Sequence, residues 1–296
     1  MAVGDSGELT VWQCLKDRTL ASLKPEDMDL SWECQVGFLS ENKILYPQKE
    51  TLCVQELESG EVTSYPCTGY EGVVTIPEKE SFLLVDMEGC CLVGADGEAQ
   101  EKLLWEQMGG VWKSKGVKAG FESAYAAAED GRILVALEVT RELAGTGSTD
   151  GDDSTEGKSV VVLEYGKDGA AGDSKEKPRV SLYPVEYEYI GGLCLEEGGY
   201  QQGADILYVT SNHSKETGYT VTSADMTSRL QAFDLSGQNQ IWSFDTTGGW
   251  IYDVKFARKK GSCYLLCQKY GEALLLDRTD GSLIDTFSFG SEVVKI

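Results

Sequence analysis

Side chains that could carry acid–base or metal chemistry are few in this sequence. Its 296 residues include a single histidine, His213, and nine cysteines, an odd number. A serine or cysteine nucleophile would have one histidine available as its base, and the cysteines lack the paired spacing of a zinc site. Because no catalytic constellation emerges, we predict that the chain is not an enzyme and that it has no metal and no cofactor.

The acidic run DGDDSTEG (150–157) places oxygen-bearing side chains at alternate positions, as a calcium loop does. An EF-hand loop requires glycine at its sixth position, and this run has Thr155 there. We therefore predict a hydrated surface loop here and no metal site.

Aromatic residues recur at the head of short segments in which apolar residues alternate. In GGWIYDVKF (248–256), Trp250 is followed by Val254 and Phe256. Four other positions head such a segment, the last with its spacing shifted by one residue: Trp32, Tyr70, Tyr189 and Trp112. Alternation with a period of two residues is typical of β-strands. A frame that occurs five times predicts a repeated structural unit.

A second frame follows each aromatic: a strand reaches an acidic residue, a short turn ends in glycine, and another strand begins. Three clear copies pair an acid with a glycine: Glu56 with Gly60, Asp234 with Gly237, and Asp277 with Gly281. Where no insertion intervenes, successive copies lie 37 to 44 residues apart. About four strands per unit at this period predict an all-β chain made of β-propeller blades.

Two segments resemble known propeller repeats. LQAFDLSGQNQIWSF (230–244) resembles a repeat of the quinoprotein-like (PQQ-repeat) propellers, and GELTVWQCLKDRTLASL (7–23) resembles the third and fourth strands of a WD40 blade. The resemblance implies a single β-propeller domain over 1–296. Six blades are predicted, at about 31–67, 71–107, 115–186, 188–246, 250–290, and 1–24 joined with 292–296.

The last of these blades would close the ring, with the N-terminal segment supplying strands b, c and d and the C-terminal segment supplying strand a. Closure removes exposed sheet edges, which favours it. The alternative is that the chain is a fragment of a larger seven- or eight-bladed propeller.

Cys90 and Cys91 raise the question of a quinone cofactor. Some quinoprotein dehydrogenases that resemble this fold carry an adjacent-cysteine disulfide beside their cofactor. Here the pair falls within a predicted strand, where successive side chains point to opposite faces, and the matching calcium-binding carboxylates are missing. We predict that both cysteines have a packing role.

The charge balance restricts the class of partner. A formal net charge of −23 repels phosphate backbones and anionic lipids, so we expect no nucleic-acid partner and no membrane insertion. Unpaired cysteines favour a reducing, cytoplasmic location and a monomer, unless the chain is cut from a longer secreted or anchored protein. The sequon Asn212-His213-Ser214 would matter in a eukaryotic secretory setting.

Two long insertions, 142–158 and 211–228, fall between strands b and c of neighbouring predicted blades and therefore on one face. We predict a protein or peptide interaction scaffold or sensor module that binds through this face. Its candidate binding residues are Trp32, Tyr70, Trp112, Tyr189, Trp250 and His213. Each repeated aromatic could instead wedge adjacent blades together. The alternative function is a six-bladed calcium-dependent hydrolase or lyase, or a quinoprotein-type enzyme.

Overall fold

The computed structural model describes residues 2–3, 9–13, 18–23, 37–48, 51–66, 70–86, 88–95, 97, 99, 102–104, 118–127, 132–142, 156–166, 178–198, 204–214, 226–259, 262–269 and 271–288. Apart from a short 3-10 helix, Pro77–Lys79, the regular elements in these ranges are β-strands. The strands form five four-stranded sheets and one three-stranded sheet, all antiparallel between neighbours.

Residues 1–113, with 168–175, form one compact unit. Sheet 1 contains β1 (Ala2–Val3), β2 (Leu9–Gln13) and β3 (Arg18–Leu23). Sheet 2 contains β4 (Gly37–Ser40), β5 (Lys43–Gln48), β6 (Thr51–Glu56) and β7 (Val62–Pro66). Sheet 3 contains β8 (Tyr70–Ile76), β9 (Ser81–Asp86), β10 (Gly89–Gly94) and β11 (Leu103–Leu104).

Residues 114–167, with 176–296, form the second unit. Sheet 4 contains β12 (Lys118–Ala127), β13 (Ile133–Glu142), β14 (Glu156–Tyr165) and β15 (Arg179–Pro184). Sheet 5 contains β16 (Tyr189–Glu196), β17 (Ile206–Ser214), β18 (Met226–Asp234) and β19 (Asn239–Thr247). Sheet 6 contains β20 (Ile251–Lys259), β21 (Ser262–Lys269), β22 (Glu272–Asp277) and β23 (Leu283–Ser288).

In every sheet the strands pair in the order in which the chain visits them. A four-stranded antiparallel meander of this kind is the blade of a β-propeller, and the all-β sheets support that fold. The middle strands β13, β14, β17 and β18 are nine or ten residues long. Their ladders continue to the pairs Glu142–Glu156 and Ser214–Met226. The predicted insertions therefore shorten to 143–155 and 215–225, because residues at their ends complete backbone pairs.

Alternation along β17 builds two cores at once. Leu207 and Val209 pack with buried residues of sheet 4, whereas Ile206 and Tyr208 pack with buried residues of sheet 6. All four side chains are fully buried. A strand that is buried on both faces reads as a continuous apolar run, and ILYV (206–209) is such a run. Sheet 5 is thereby joined to a neighbour on each side.

An aromatic residue in the outer strand of one sheet repeatedly donates a hydrogen bond to the next sheet. The three observed bonds run from Tyr65 Oη to Ala95 O (2.6 Å), from Tyr183 Oη to Leu235 O (3.3 Å) and from Trp242 Nε1 to Arg278 O (3.0 Å). In each case the acceptor is the residue immediately after the third strand of the next sheet. We call these contacts the outer-strand latches.

The acid and the glycine of the second sequence frame stabilise the turn that follows the third strand, next to the latch. Asp277 Oδ1 accepts hydrogen bonds from the backbone N–H and the hydroxyl of Thr279. Gly281 has φ +73°, and a Cβ there would lie 2.5 Å from the ring of Trp242. Glycine is therefore required twice at this position, for the left-handed backbone and for the approach of the latch ring.

Candidate functional site

The predicted site residues fall into two groups. Trp32 and Trp112 lie outside the described residues, and Tyr70 is the first residue of β8. Tyr189 is the first residue of β16, and Trp250 directly precedes β20. Because β16 and β20 are the first strands of neighbouring sheets 5 and 6, the fold brings these last two aromatics together.

Three aromatic rings form a continuous layer at this point. Tyr189 and Trp250 stack with centroids 5.4 Å apart and an interplanar angle of 26°. Tyr252 lies against the other side of the cluster, with its centroid 6.4 Å from that of Trp250 and a tilt of 58°. Tyr189 is 50% exposed and Tyr252 is 45% exposed. We call these three residues the aromatic layer.

Backbone irregularities aim these rings outward. Gly248 and Gly249 have positive φ, 83° and 147°, which reverses the chain between β19 and Trp250. In β20, Tyr252 is the unpaired residue of a β-bulge between Ile251 and Asp253. A bulge changes the direction of the side chain that it carries, and here it leaves the Tyr252 ring exposed.

A glycine in sheet 5 allows the two first strands to approach. Gly191 occupies the bulge of β16, at the position that corresponds to Tyr252 in β20. A Cβ on Gly191 would lie 1.9 Å from the carbonyl oxygen of Ile251. Any other residue would push β16 and β20 apart and would separate Tyr189 from Trp250.

A buried amide holds the backbone under Trp250. Asn212, which is 2% exposed, donates from Nδ2 to Ile251 O (3.0 Å) and accepts at Oδ1 from Ile251 N (3.0 Å). Ser228 donates to Asn212 Oδ1 and also contacts the carbonyl of Gly249. The side chains of β17 and β18 thus fix both backbone groups of Ile251, and the aromatic layer rests on a rigid support. Asn212 is fully engaged, so the folded chain offers no glycosylation acceptor at the sequon.

A second aromatic stack adjoins the layer through the segment 187–189. Tyr187 stacks on His213 with centroids 5.7 Å apart. His213 Nδ1 lies 2.7 Å from Glu188 Oε1, an exposed pair. Arg229 lies over the Tyr187 ring, 5.6 Å from its centroid, and binds both carboxylate oxygens of Asp245 at 2.6 and 2.9 Å. The hydrogen bond from Arg229 to Asp245 raises the pKa of the guanidinium.

Carboxylates flank the exposed rings. Glu188 precedes Tyr189 and Asp253 follows Tyr252 in the chain, and their side chains are 44% and 33% exposed. Lys255 lies 3.2 Å from Asp253 and is 61% exposed. The chain therefore places two solvent-accessible carboxylates one residue away from the two exposed tyrosines.

Sequence comparison with known proteins does not identify this chain, because no protein-family model and no curated protein matches it. Among solved structures, it is similar to a Bacteroides caccae protein of unknown function, with 12% identity, coverage of 81% of this chain and 69% of that one, and a TM-score of 0.42. It is also similar to regucalcin from Agrobacterium tumefaciens, a calcium-binding protein, with 13% identity, coverage of 84% and 70%, and a TM-score of 0.41.

A third similar structure is the nidogen/laminin complex, with 10% identity, coverage of 86% of this chain and 78% of that one, and a TM-score of 0.43. The regucalcin similarity contradicts the sequence-based prediction that this chain is not an enzyme, and the prediction is corrected accordingly. At this TM-score, the similarity assigns neither an activity nor a calcium site to the chain.

Three further features of the described residues concern metal ligands, the adjacent cysteines and membrane-spanning helices. Within those ranges, no group of three or more histidine, cysteine, aspartate or glutamate side chains is arranged to hold a metal ion. Cys90 is buried in β10, and Cys91 in the same strand is half-buried. No helix in the described part of the chain is long and apolar enough to cross a membrane.

The sequence-based prediction named Tyr189, Trp250 and His213, and it did not name Tyr187, Tyr252 and Arg229, which adjoin them in the structure. The signal for two of them was present: aromatics alternate in YEY (187–189) and in WIY (250–252). Alternation normally places such residues on one face of a strand. Arg229 has no local sequence signal, because the residues that it contacts, Tyr187 and Asp245, are 42 and 16 residues away in the chain.

Proposed function

We propose that this protein binds a protein or peptide partner through the aromatic layer and the hairpin end beside it. The observation that carries the proposal is the contiguous cluster of Tyr189, Trp250 and Tyr252, in which two rings are about half exposed. Tyrosine and tryptophan are enriched among the residues that dominate binding energy at protein interfaces.

The long connection 215–225 leaves sheet 5 at the same end as the aromatic layer. Gly248 N donates to Met226 O (3.1 Å), so the end of the β17–β18 hairpin is tied to the turn that precedes Trp250. The described end of this hairpin, next to exposed aromatic rings, offers a partner both apolar contact and hydrogen bonds.

The rigid backbone beneath the aromatic layer favours tight binding of a partner. The Asn212 and Ser228 hydrogen bonds hold the backbone of Ile251 and Gly249, so little conformational entropy remains to be lost when a partner binds. The indole Nε1 of Trp250 is buried and has no hydrogen-bond partner among the described residues.

A peptide library selected on the wild-type protein tests the proposal, with each selected peptide then titrated by calorimetry. The test variant is the double change Tyr189→Ala and Tyr252→Ala, and the control is Phe287→Ala, which removes a 43% exposed ring from β23. We expect affinity to fall at least tenfold in the double variant and less than twofold in the control. Selected peptides that bind all three proteins equally well would refute the proposed surface.

We further propose that the β-propeller is a six-bladed ring of the WD40-like or quinoprotein-like type, closed by pairing of residues 292–296 with the first sheet. Support comes from sheet 1, in which the described residues form three strands, whereas those of the other five sheets form four. Replacing Val294 by proline blocks such pairing, whereas Val294→Thr preserves it. A fall in Tm of about 4 °C or more for the proline variant alone is expected. Equal Tm values for both variants would exclude this closure.

A further inference from the structure

The protein already holds its own guanidinium groups between a ring and a carboxylate. Arg229 lies over Tyr187 and binds Asp245 through two nitrogens. Arg278 lies over the Phe256 ring, 5.8 Å from its centroid, and pairs with the buried Glu196. The planar guanidinium suits this arrangement because one surface of it stacks on a ring while its edge binds a carboxylate.

The aromatic layer presents the same two kinds of group without an arginine of its own among its described contacts. The rings of Tyr189 and Tyr252 are half exposed, and the carboxylates of Glu188 and Asp253 stand next to them in the chain. Glu188 binds His213 through Oε1, and Asp253 Oδ1 accepts from Val254 N and lies 3.2 Å from Lys255 Nζ. Lys255 is 61% exposed, so a partner can displace this ion pair at little cost.

The net charge of the whole chain favours a basic partner at this surface. The sequence has 49 acidic and 26 basic residues, a formal net charge of −23, which attracts basic segments and repels acidic ones. Lysine satisfies the charge and can approach a ring face, but its ammonium has no planar surface to stack and cannot bind a carboxylate through two parallel hydrogen bonds. Arginine satisfies all three requirements of the surface.

We infer that the segment recognised by the aromatic layer contains arginine, whose guanidinium stacks on Tyr189 or Tyr252 and binds Glu188 or Asp253. This inference rests on the proposed function, since it names the chemistry of the partner at the same surface. It extends that proposal from a general protein partner to a basic peptide.

Fluorescence anisotropy with three labelled nine-residue peptides tests the inference. Each peptide carries three copies of one residue in a glycine–serine background: arginine, lysine or citrulline, which keeps the shape of arginine and lacks its charge. For the wild-type protein, we expect the arginine peptide to bind at least fivefold more tightly than the lysine peptide and at least twentyfold more tightly than the citrulline peptide. The Tyr189→Ala, Tyr252→Ala variant should lose the preference for arginine over lysine.

A charge-matched pair of variants separates recognition from general attraction. Glu188→Gln with Asp253→Asn removes two negative charges at the surface, and Glu58→Gln with Glu61→Gln removes two exposed negative charges beside β6 and β7. Affinity for the arginine peptide should fall at least fivefold in the first variant and less than twofold in the second. Equal losses in both, or equal affinity for arginine and lysine, would show non-specific attraction and would overturn the inference.

The two proposals fail in different ways. If library-selected peptides are neutral and still depend on Tyr189 and Tyr252, the proposed function stands and the arginine inference is wrong. If the arginine peptide binds with unchanged affinity after both tyrosines are removed, neither proposal describes this surface. Thermal unfolding of each variant, expected within about 2 °C of wild type for these exposed side chains, shows that the comparison is between folded proteins.

Discussion

Trp242 lies within β19, Trp250 lies between β19 and β20, and the two tryptophans have opposite environments. Trp242 is 9% exposed, donates from Nε1 to Arg278 O and packs over Gly281. Trp250 is half-buried, stacks on an exposed tyrosine and has no acceptor for Nε1 among the described residues. One ring completes the contact between two sheets, and the other forms part of a surface.

The difference shows that an aromatic residue in a repeat can serve either purpose. The outer-strand latches recur in three pairs of neighbouring sheets, each ending on the residue after a third strand. Tyr189 and Trp250, in contrast, contact each other across two first strands and leave ring surface to solvent. The comparison can be tested by changes that separate stability from binding.

The largest expected effect is on the latch ring. Trp242→Ala removes a buried ring and leaves Arg278 O without its donor, so we expect a loss of about 3–5 kcal/mol in the free energy of unfolding. Trp250→Ala should cost less, about 1–2 kcal/mol, because its ring is only partly buried and makes no hydrogen bond to the described residues. Urea denaturation of both variants measures this difference. Equal losses would mean that the two tryptophans have the same structural role.

A pair of glycines isolates the contribution of ring contact at the latch. Gly281 and Gly60 have nearly the same φ, +73° and +74°, but a Cβ on Gly60 would meet nothing within 4 Å. Gly60→Ala should cost about 1 kcal/mol from backbone strain alone. Gly281→Ala should cost about 2 kcal/mol more, since the methyl group collides with the Trp242 ring. Urea denaturation of the two glycine variants measures both losses in the free energy of unfolding. Similar losses would argue against tight packing at this latch.

Loss of the Asn212 hydrogen bonds beneath Trp250 should have an intermediate effect on the free energy of unfolding. Asn212→Ala removes both hydrogen bonds to Ile251 and leaves its carbonyl unsatisfied in a buried site, for a loss of about 2 kcal/mol. Because the same bonds position the aromatic layer, affinity for a selected peptide should also fall, by about tenfold. A variant that loses stability and retains full affinity would show that the amide does not position the binding surface.

The smallest expected effect concerns pH. Burial raises the pKa of the Cys194 thiol to about 11. Since the unfolded thiol titrates near 9, its contribution is complete below pH 9 and is lost as the pH rises toward 11, at a rate on the order of 1 kcal/mol per pH unit. Cys194→Ser should therefore lose less stability than wild type between pH 8.5 and 10.5, as measured by chemical denaturation at each pH. Parallel curves for the two proteins would show that Cys194 does not titrate differently on folding.

The local features of this protein followed from its sequence. Alternating apolar residues indicated the strands, and each acid-to-glycine frame indicated a turn, because strand alternation and positive φ depend on neighbouring residues alone. The aromatic heads Tyr189 and Trp250 were visible for the same reason. The segment 230–244, which resembles a quinoprotein repeat, also contains Trp242, although its partner in the next sheet could not be named.

Partners across sheets depended on tertiary structure. The latch acceptors lie 30, 52 and 36 residues from their donors, and no spacing within one repeat identifies them. The exposure of Tyr252 results from a bulge, and the stacking of Tyr189 on Trp250 results from a glycine that allows two strands to approach. The ends of the two insertions moved because backbone pairing continued beyond the apolar residues. The sequence by itself determined which segments are strands and turns, and tertiary packing decided which aromatic rings became core and which became surface.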